Sequence, residues 1–142
     1  MDTTKHAEIY NQPNDVQLYC VTAKEFPDCI QEAFDKLKQL LPATGNRTFY
    51  GISRPDKNGK IIYKAAVATS FAWDGEQYGC EPFTIPKGKY LAETITDWHK
   101  NVPAIGQTFN ELLADPRLDT NMPCIEKYKG DKDVVCMVKL VS

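Results

Sequence analysis

The stretch "DCIQEAFDKLKQLL", residues 28–41, decides the fold. Ile30, Ala33, Phe34, Leu37, Leu40 and Leu41 recur at i, i+3, i+4, i+7 spacing, while Glu32, Asp35, Lys36 and Lys38 fall off that stripe. The spacing predicts an amphipathic helix with one buried face, entered near Pro27 and stopped by Pro42 and Gly45. Its neighbours read as strands. "DVQLYCVTA" (15–23) alternates Val16, Leu18 and Cys20 against Tyr19 and Val21, and "RTFYGISR" (47–54) is aromatic and β-branched. Asn58-Gly59 is a hairpin signal, because both residues can take positive φ, and "IIYKAAVATSFAW" (61–73) is the returning strand. Residues 15–73 therefore read β-α-β-β.

The same order recurs after the loop "DGEQYGCE". "PFTIPKGKYLAETIT" (82–96) is extended and broken at Pro86-Lys87-Gly88. "VPAIGQTFNELLA" (102–114) sets Val102, Ile105, Phe109, Leu112 and Leu113 at helical spacing, with Asn101 as N-cap and Pro103 in the first turn. "PCIEKY" (123–128) is a strand, "KGDKD" a turn and "VVCMVKLVS" the last strand. "AFDKLKQLL" aligns with "TFNELLADP", placing Phe34 over Phe109 and Leu37 over Leu112. The match is one of pattern, and it predicts an internal duplication. Each half is too small to bury much alone. The expectation is an α+β domain in which two β-α-β-β units, 15–73 and 81–142, form one antiparallel sheet with two helices on one face. Residues 1–14, with Asn11, Gln12, Pro13 and Asn14, read as a flexible leader.

Composition narrows the function. The chain has 142 residues, 42% of them hydrophobic and 25% charged, which is the balance of one globular domain. A net charge of -2 and the lack of a basic cluster clear of acids argue against direct nucleic-acid binding. No run reaches bilayer length, and "MDTTKHAEIYNQPND" has no apolar signal region, so no membrane association is expected. The five cysteines are odd in number and contain no C-x-x-C pair, which fits reduced, buried thiols in a cytoplasmic protein. His6 and His99 are far apart, no His/Cys set has ligand spacing, and no phosphate loop is present. Neither a metal nor a cofactor is expected.

Two short runs carry a family resemblance. Ile-Pro-x-Gly-x-Tyr at 85–90 and P-x-x-E-x-Y at 123–128, set in the duplicated frame, resemble the GyrI-like small-molecule-binding family, which includes effector-binding domains of AraC-type and MerR-type regulators. The resemblance runs from about residue 15 to the end. It implies two pseudo-symmetric halves around a ligand cleft, with Glu126 in the cleft receiving cationic, often aromatic, ligands. Such regulators carry a helix-turn-helix domain first. Only about fourteen residues, polar in character, precede the first predicted strand here, so a stand-alone member is expected.

On a strand Cys124, Glu126 and Tyr128 share a face. A carboxylate there is either solvated or buried, and a buried one must neutralise or find a cation. The candidate ligand-binding residues are Glu126, Tyr128, Tyr50, Tyr90, Trp98, Phe71 and Trp73. Aromatic rings would add stacking and cation–π attraction. Phe34 and Phe109 read as helix-stripe core. The function expected is binding of amphiphilic, cationic aromatic molecules, for sensing or sequestration, without catalysis. One alternative is a hydrolase of a reactive small electrophile using Glu126 with Tyr50 or Tyr128. Another is an inhibitor of a partner protein such as DNA gyrase, on which nothing in the sequence marks a surface. A Cys124–His99 nucleophile pair is outweighed by inert buried cysteine.

Overall fold

The apolar stripe of residues 30–41 becomes α1 (Ile30–Leu40), which buries Ala33 and Leu37. The computed structural model describes residues 7–40, 48–68, 80–130 and 132–141. Around α1 run β1 (Glu8–Gln12), β2 (Val16–Thr22), β3 (Phe49–Pro55) and β4 (Ile61–Ala68). β5 (Glu81–Ile85), β6 (Gly88–Ile95), a 3-10 turn (Trp98–Lys100), α2 (Pro103–Leu112), β7 (Cys124–Lys129) and β8 (Asp133–Lys139) follow. The strands form one eight-stranded antiparallel sheet in the order β1-β6-β8-β7-β3-β4-β2-β5. This is the α+β fold expected, with β2-α1-β3-β4 and β6-α2-β7-β8 meeting at the β3–β7 seam.

Both helices lie on the same face, and the strand register shows why. Ala65, Gly51, Glu126 and Cys136 are direct partners across β4, β3, β7 and β8, so they point the same way. Ala65 packs with Ala33 and Leu37 of α1, and Cys136 packs with Phe109 and Leu112 of α2. The opposite face gathers Leu18, Cys20, Tyr50, Ile52, Ala66, Ile85, Tyr90, Ile125 and Met137 into a core of its own.

Short connections force the sheet to curl. In a flat sheet β1 and β2 would stand six spacings of about 4.8 Å apart, roughly 29 Å. Only residues 13–15 join them, a reach of about 15 Å at most. The β5–β6 link, residues 86–87, makes the same demand. The ends of the sheet must therefore approach one another. Ile85 and Leu18 from one end accordingly share the inner core with Tyr90 from the other. Each unit also takes its outer strand from the segment preceding the other unit: β1 pairs with β6, and β5 with β2.

Two local expectations are corrected. The leader read over residues 1–14 contains an edge strand at Glu8–Gln12, whose Ile9 and Tyr10 are exposed. Its polar sequence hides it, because what it supplies is backbone pairing to β6 rather than an apolar face. Residues 1–6 lie outside the described residues. Asn101 is not the N-cap of α2. The 3-10 turn runs straight into the helix, so the Asn101 N–H donates to the Trp98 carbonyl, and Val102, in helical geometry, takes the cap position without a side-chain bond. Among the described residues no helix is long and apolar enough to cross a membrane.

Candidate functional site

Glu126 sits on the helix side of the sheet at the seam between the halves, opposite Gly51 of β3 and Cys136 of β8. Alternation along β7 sends Ile125 to the inner core and Cys124, Glu126 and Tyr128 toward the helices. Glu126 as a whole is 9% exposed. Its Oε1 accepts a hydrogen bond from the Tyr63 hydroxyl at 2.8 Å and a second from the Tyr128 hydroxyl. Among the described residues no lysine or arginine pairs with it.

Gly51 creates the space for this cluster. A Cβ there would lie 2.0 Å from the Tyr63 hydroxyl oxygen and 2.5 Å from Glu126 Oε1. The phenol and the carboxylate therefore meet above a strand position that has no side chain.

Burial pushes the Glu126 carboxyl above its ordinary range, and the hydrogen bonds from Tyr128 and Tyr63 only partly offset that. Both phenols are held protonated, first by burial and then by the Glu126 charge. They remain donors across the physiological range. Burial also pushes the Cys124 thiol up to about 11 and the Cys136 thiol up to about 12, so neither is a nucleophile at neutral pH.

Aromatic side chains from both halves surround the cluster. Phe26, just before α1, stacks on Tyr63 at 5.8 Å between ring centroids. Phe34 of α1 stands edge-on to Tyr63 at 6.3 Å and to Tyr128 at 5.8 Å. Trp98, on the turn before α2, meets Tyr128 at 5.5 Å. The result is a buried carboxylate held on one oxygen by two phenols and walled by Phe26, Phe34 and Trp98.

Of the candidates read from the sequence, the structure brings together Glu126, Tyr128 and Trp98. Tyr50 and Tyr90 lie in the inner core on the opposite face. Tyr50 neighbours Gly51, so strand alternation turns it away from Glu126, and the acid's phenolic partners are Tyr63 and Tyr128 instead. Tyr90 sends its hydroxyl to the Pro86 carbonyl at 2.7 Å. Phe71 and Trp73 lie outside the described residues. The strand pattern alone has no signal that marks Phe26 and Tyr63 as partners of the acid. Tyr63 reaches Glu126 across β3, the strand that lies between β4 and β7, over Gly51. Among the described residues no group of three or more His, Cys, Asp or Glu side chains could hold a metal ion. An open groove of about 640 Å3 lies elsewhere, along Tyr10, Thr94, Lys127 and Met137.

Tyr63→Phe tests the hydrogen-bond frame. Losing one donor to a buried acid is expected to cost about 1–2 kcal/mol in urea denaturation. It should also raise the Glu126 titration midpoint, followed by carboxyl NMR, because a contact favouring the charged form has gone.

No protein-family model matches the sequence, and no curated protein matches it. Solved structures do. An integron cassette protein from the mobile metagenome of Vibrio cholerae aligns with TM-score 0.69 at 15% identity, covering 95% of each chain. A protein from Listeria innocua described as a hydrolase aligns with TM-score 0.62 at 11% identity, covering 98% of this chain and 93% of the other. The protein SAV2435, solved with tetraphenylphosphonium bound, aligns with TM-score 0.57 at 17% identity, covering 94% and 93%. At these identities the likeness is one of fold. Fold and site together define an α+β curled half-barrel with a buried, tyrosine-held carboxylate at its seam, on an architecture that in one neighbour binds a lipophilic cation.

Proposed function

We propose that this chain is a GyrI-like small-molecule-binding protein that takes up hydrophobic, aromatic cations at Glu126, for sensing or sequestration. The observation that carries the reading is the buried carboxylate without a cationic partner among the described residues, set among aromatic rings. A lone buried charge is costly, and a bound cation removes that cost while its rings stack on the walls. SAV2435, which shares the fold, was solved with such a cation.

The reading has a pH signature. Cation binding needs ionised Glu126, so tetraphenylphosphonium affinity should rise with pH through the acid's raised midpoint and fall below it. Folding stability should run the other way. The native state holds the Glu126 proton to higher pH than the unfolded chain does, so stability is lost as pH rises through that interval. Glu126→Gln removes the penalty. Its Tm should exceed wild type at neutral pH, and the gap should close in acid. A melting series from acid to neutral pH checks this. A variant less stable than wild type at neutral pH would contradict the desolvated-acid reading.

A second reading is favoured by the same cluster. An acid whose carboxyl burial pushes up, and which two phenols orient, is equipped to protonate a strained or reactive electrophile. Two neighbours from Listeria innocua are described as hydrolases. Incubation with reactive electrophiles, followed by mass spectrometry for water addition, separates turnover from binding. Hydrolysis abolished by Glu126→Gln would favour the enzyme.

A further inference from the structure

Trp98 carries a polar atom that the fold leaves unused. Its indole is held on two sides: the His99 ring stacks on it at 3.7 Å, and the Tyr128 ring meets it at 5.5 Å. The turn that bears it is pinned, because the Trp98 backbone N–H donates to the Lys132 carbonyl at 3.0 Å. In this frame Nε1 is buried and makes no hydrogen bond. Among the described residues no other buried side-chain nitrogen or oxygen is in that state. A buried donor without an acceptor is costly, and phenylalanine would provide the ring contacts without that cost. The indole that carries this donor meets the ring of Tyr128, whose hydroxyl donates to Glu126.

We propose that Trp98 Nε1 is the second polar contact of the Glu126 site, and that the ligand fitted there is a hydrophobic cation carrying a carbonyl or ether oxygen one aromatic ring from its charged centre. The proposal rests on the cation reading above and narrows it. Both phenols donate to Glu126 Oε1, and among the described residues no donor reaches Oε2. The site thus offers an acceptor to the positive end of a ligand and, one ring away, a donor to an oxygen. Nε1 is closed to solvent, so the ligand oxygen reaches it as the indole tilts off Tyr128. The tilt gives up a ring contact and gains a hydrogen bond that no protein group supplies.

The test uses two phosphonium probes that differ in one group. The para-benzoylbenzyl triphenylphosphonium cation carries a carbonyl where its para-benzylbenzyl analogue carries a methylene. By isothermal titration calorimetry, wild type is expected to bind the carbonyl probe roughly tenfold more tightly, the effect of one satisfied buried donor. Trp98→Phe should remove that preference, weakening the carbonyl probe roughly tenfold more than its analogue, while Glu126→Gln should weaken both. Equal wild-type affinities, or a Trp98→Phe loss of the same size for both probes, would overturn the donor role and leave the cation reading standing. Failure of both probes to bind would overturn the donor role and the cation reading together. If Trp98→Phe does not fold, the wild-type comparison alone decides.

Discussion

Glu126→Gln is expected to weaken tetraphenylphosphonium binding at neutral pH roughly ten- to a hundredfold, on the order of 1–3 kcal/mol. Gln keeps the shape of the side chain, and its carbonyl oxygen can still accept from Tyr63 and Tyr128. What it removes is the charge. The aromatic walls contributed by Phe26, Phe34 and Trp98 are untouched, so their stacking energy is common to both proteins. The difference therefore isolates the ion–ion attraction, which a nine-tenths buried carboxylate supplies with little solvent screening. An uncharged triaryl ligand should lose much less. Equal affinity of the cation for the two proteins, measured by calorimetry, would mean that the carboxylate serves the fold and not a ligand.

Gly51→Ala is expected to destabilise the protein by on the order of 3 kcal/mol in urea denaturation and to abolish cation binding where the chain still folds. The added Cβ would stand 2.0 Å from the Tyr63 hydroxyl oxygen, 2.7 Å from Tyr63 Cζ and 2.5 Å from Glu126 Oε1. Tyr63 cannot simply retreat: it is 1% exposed, with Phe26 stacked on its face and Phe34 against its edge. Relief must come from shifting the tyrosine or the acid, and either breaks the hydrogen bond between them. Pairing the substitution with Tyr63→Phe removes the closest clashing atom and should recover part of the loss. Gly59→Ala is the control. Gly59 holds φ 84° in the β3–β4 hairpin with nothing near its Cβ, so the cost there is backbone strain alone, roughly 1 kcal/mol. Similar losses at the two positions would mean that Tyr63 and Glu126 make room for the methyl group and that Gly51 is not the gap that admits the phenol.

Periodicity carried most of the fold. The apolar stripe from Ile30 through Leu37 could be buried only as a helix face, and the alternation in residues 16–22 only as a strand. Both signals are local, which is why the β-α-β-β order could be read twice along the chain and the α+β class with it. Glu126 was legible for the same reason: its spacing from Cys124 and Tyr128 fixes a shared face. Side-chain alternation also sufficed to separate Tyr50 from the acid once the register of β3 against β7 was known, yet that register is a tertiary fact. So is the pairing of β1 with β6, since an edge strand with polar, exposed residues contributes backbone hydrogen bonds that leave no apolar pattern in sequence. The amino-acid sequence by itself thus determined the two β-α-β-β runs and that Glu126 shares a strand face with Cys124 and Tyr128. Only the tertiary structure decided that Tyr63, Phe26 and Trp98 close around that carboxylate. Strand pairing across Gly51, and the packing of α1, of Phe26 before it and of the turn before α2 onto that face, bring together residues up to 100 positions apart, and no spacing along the chain encodes that distance.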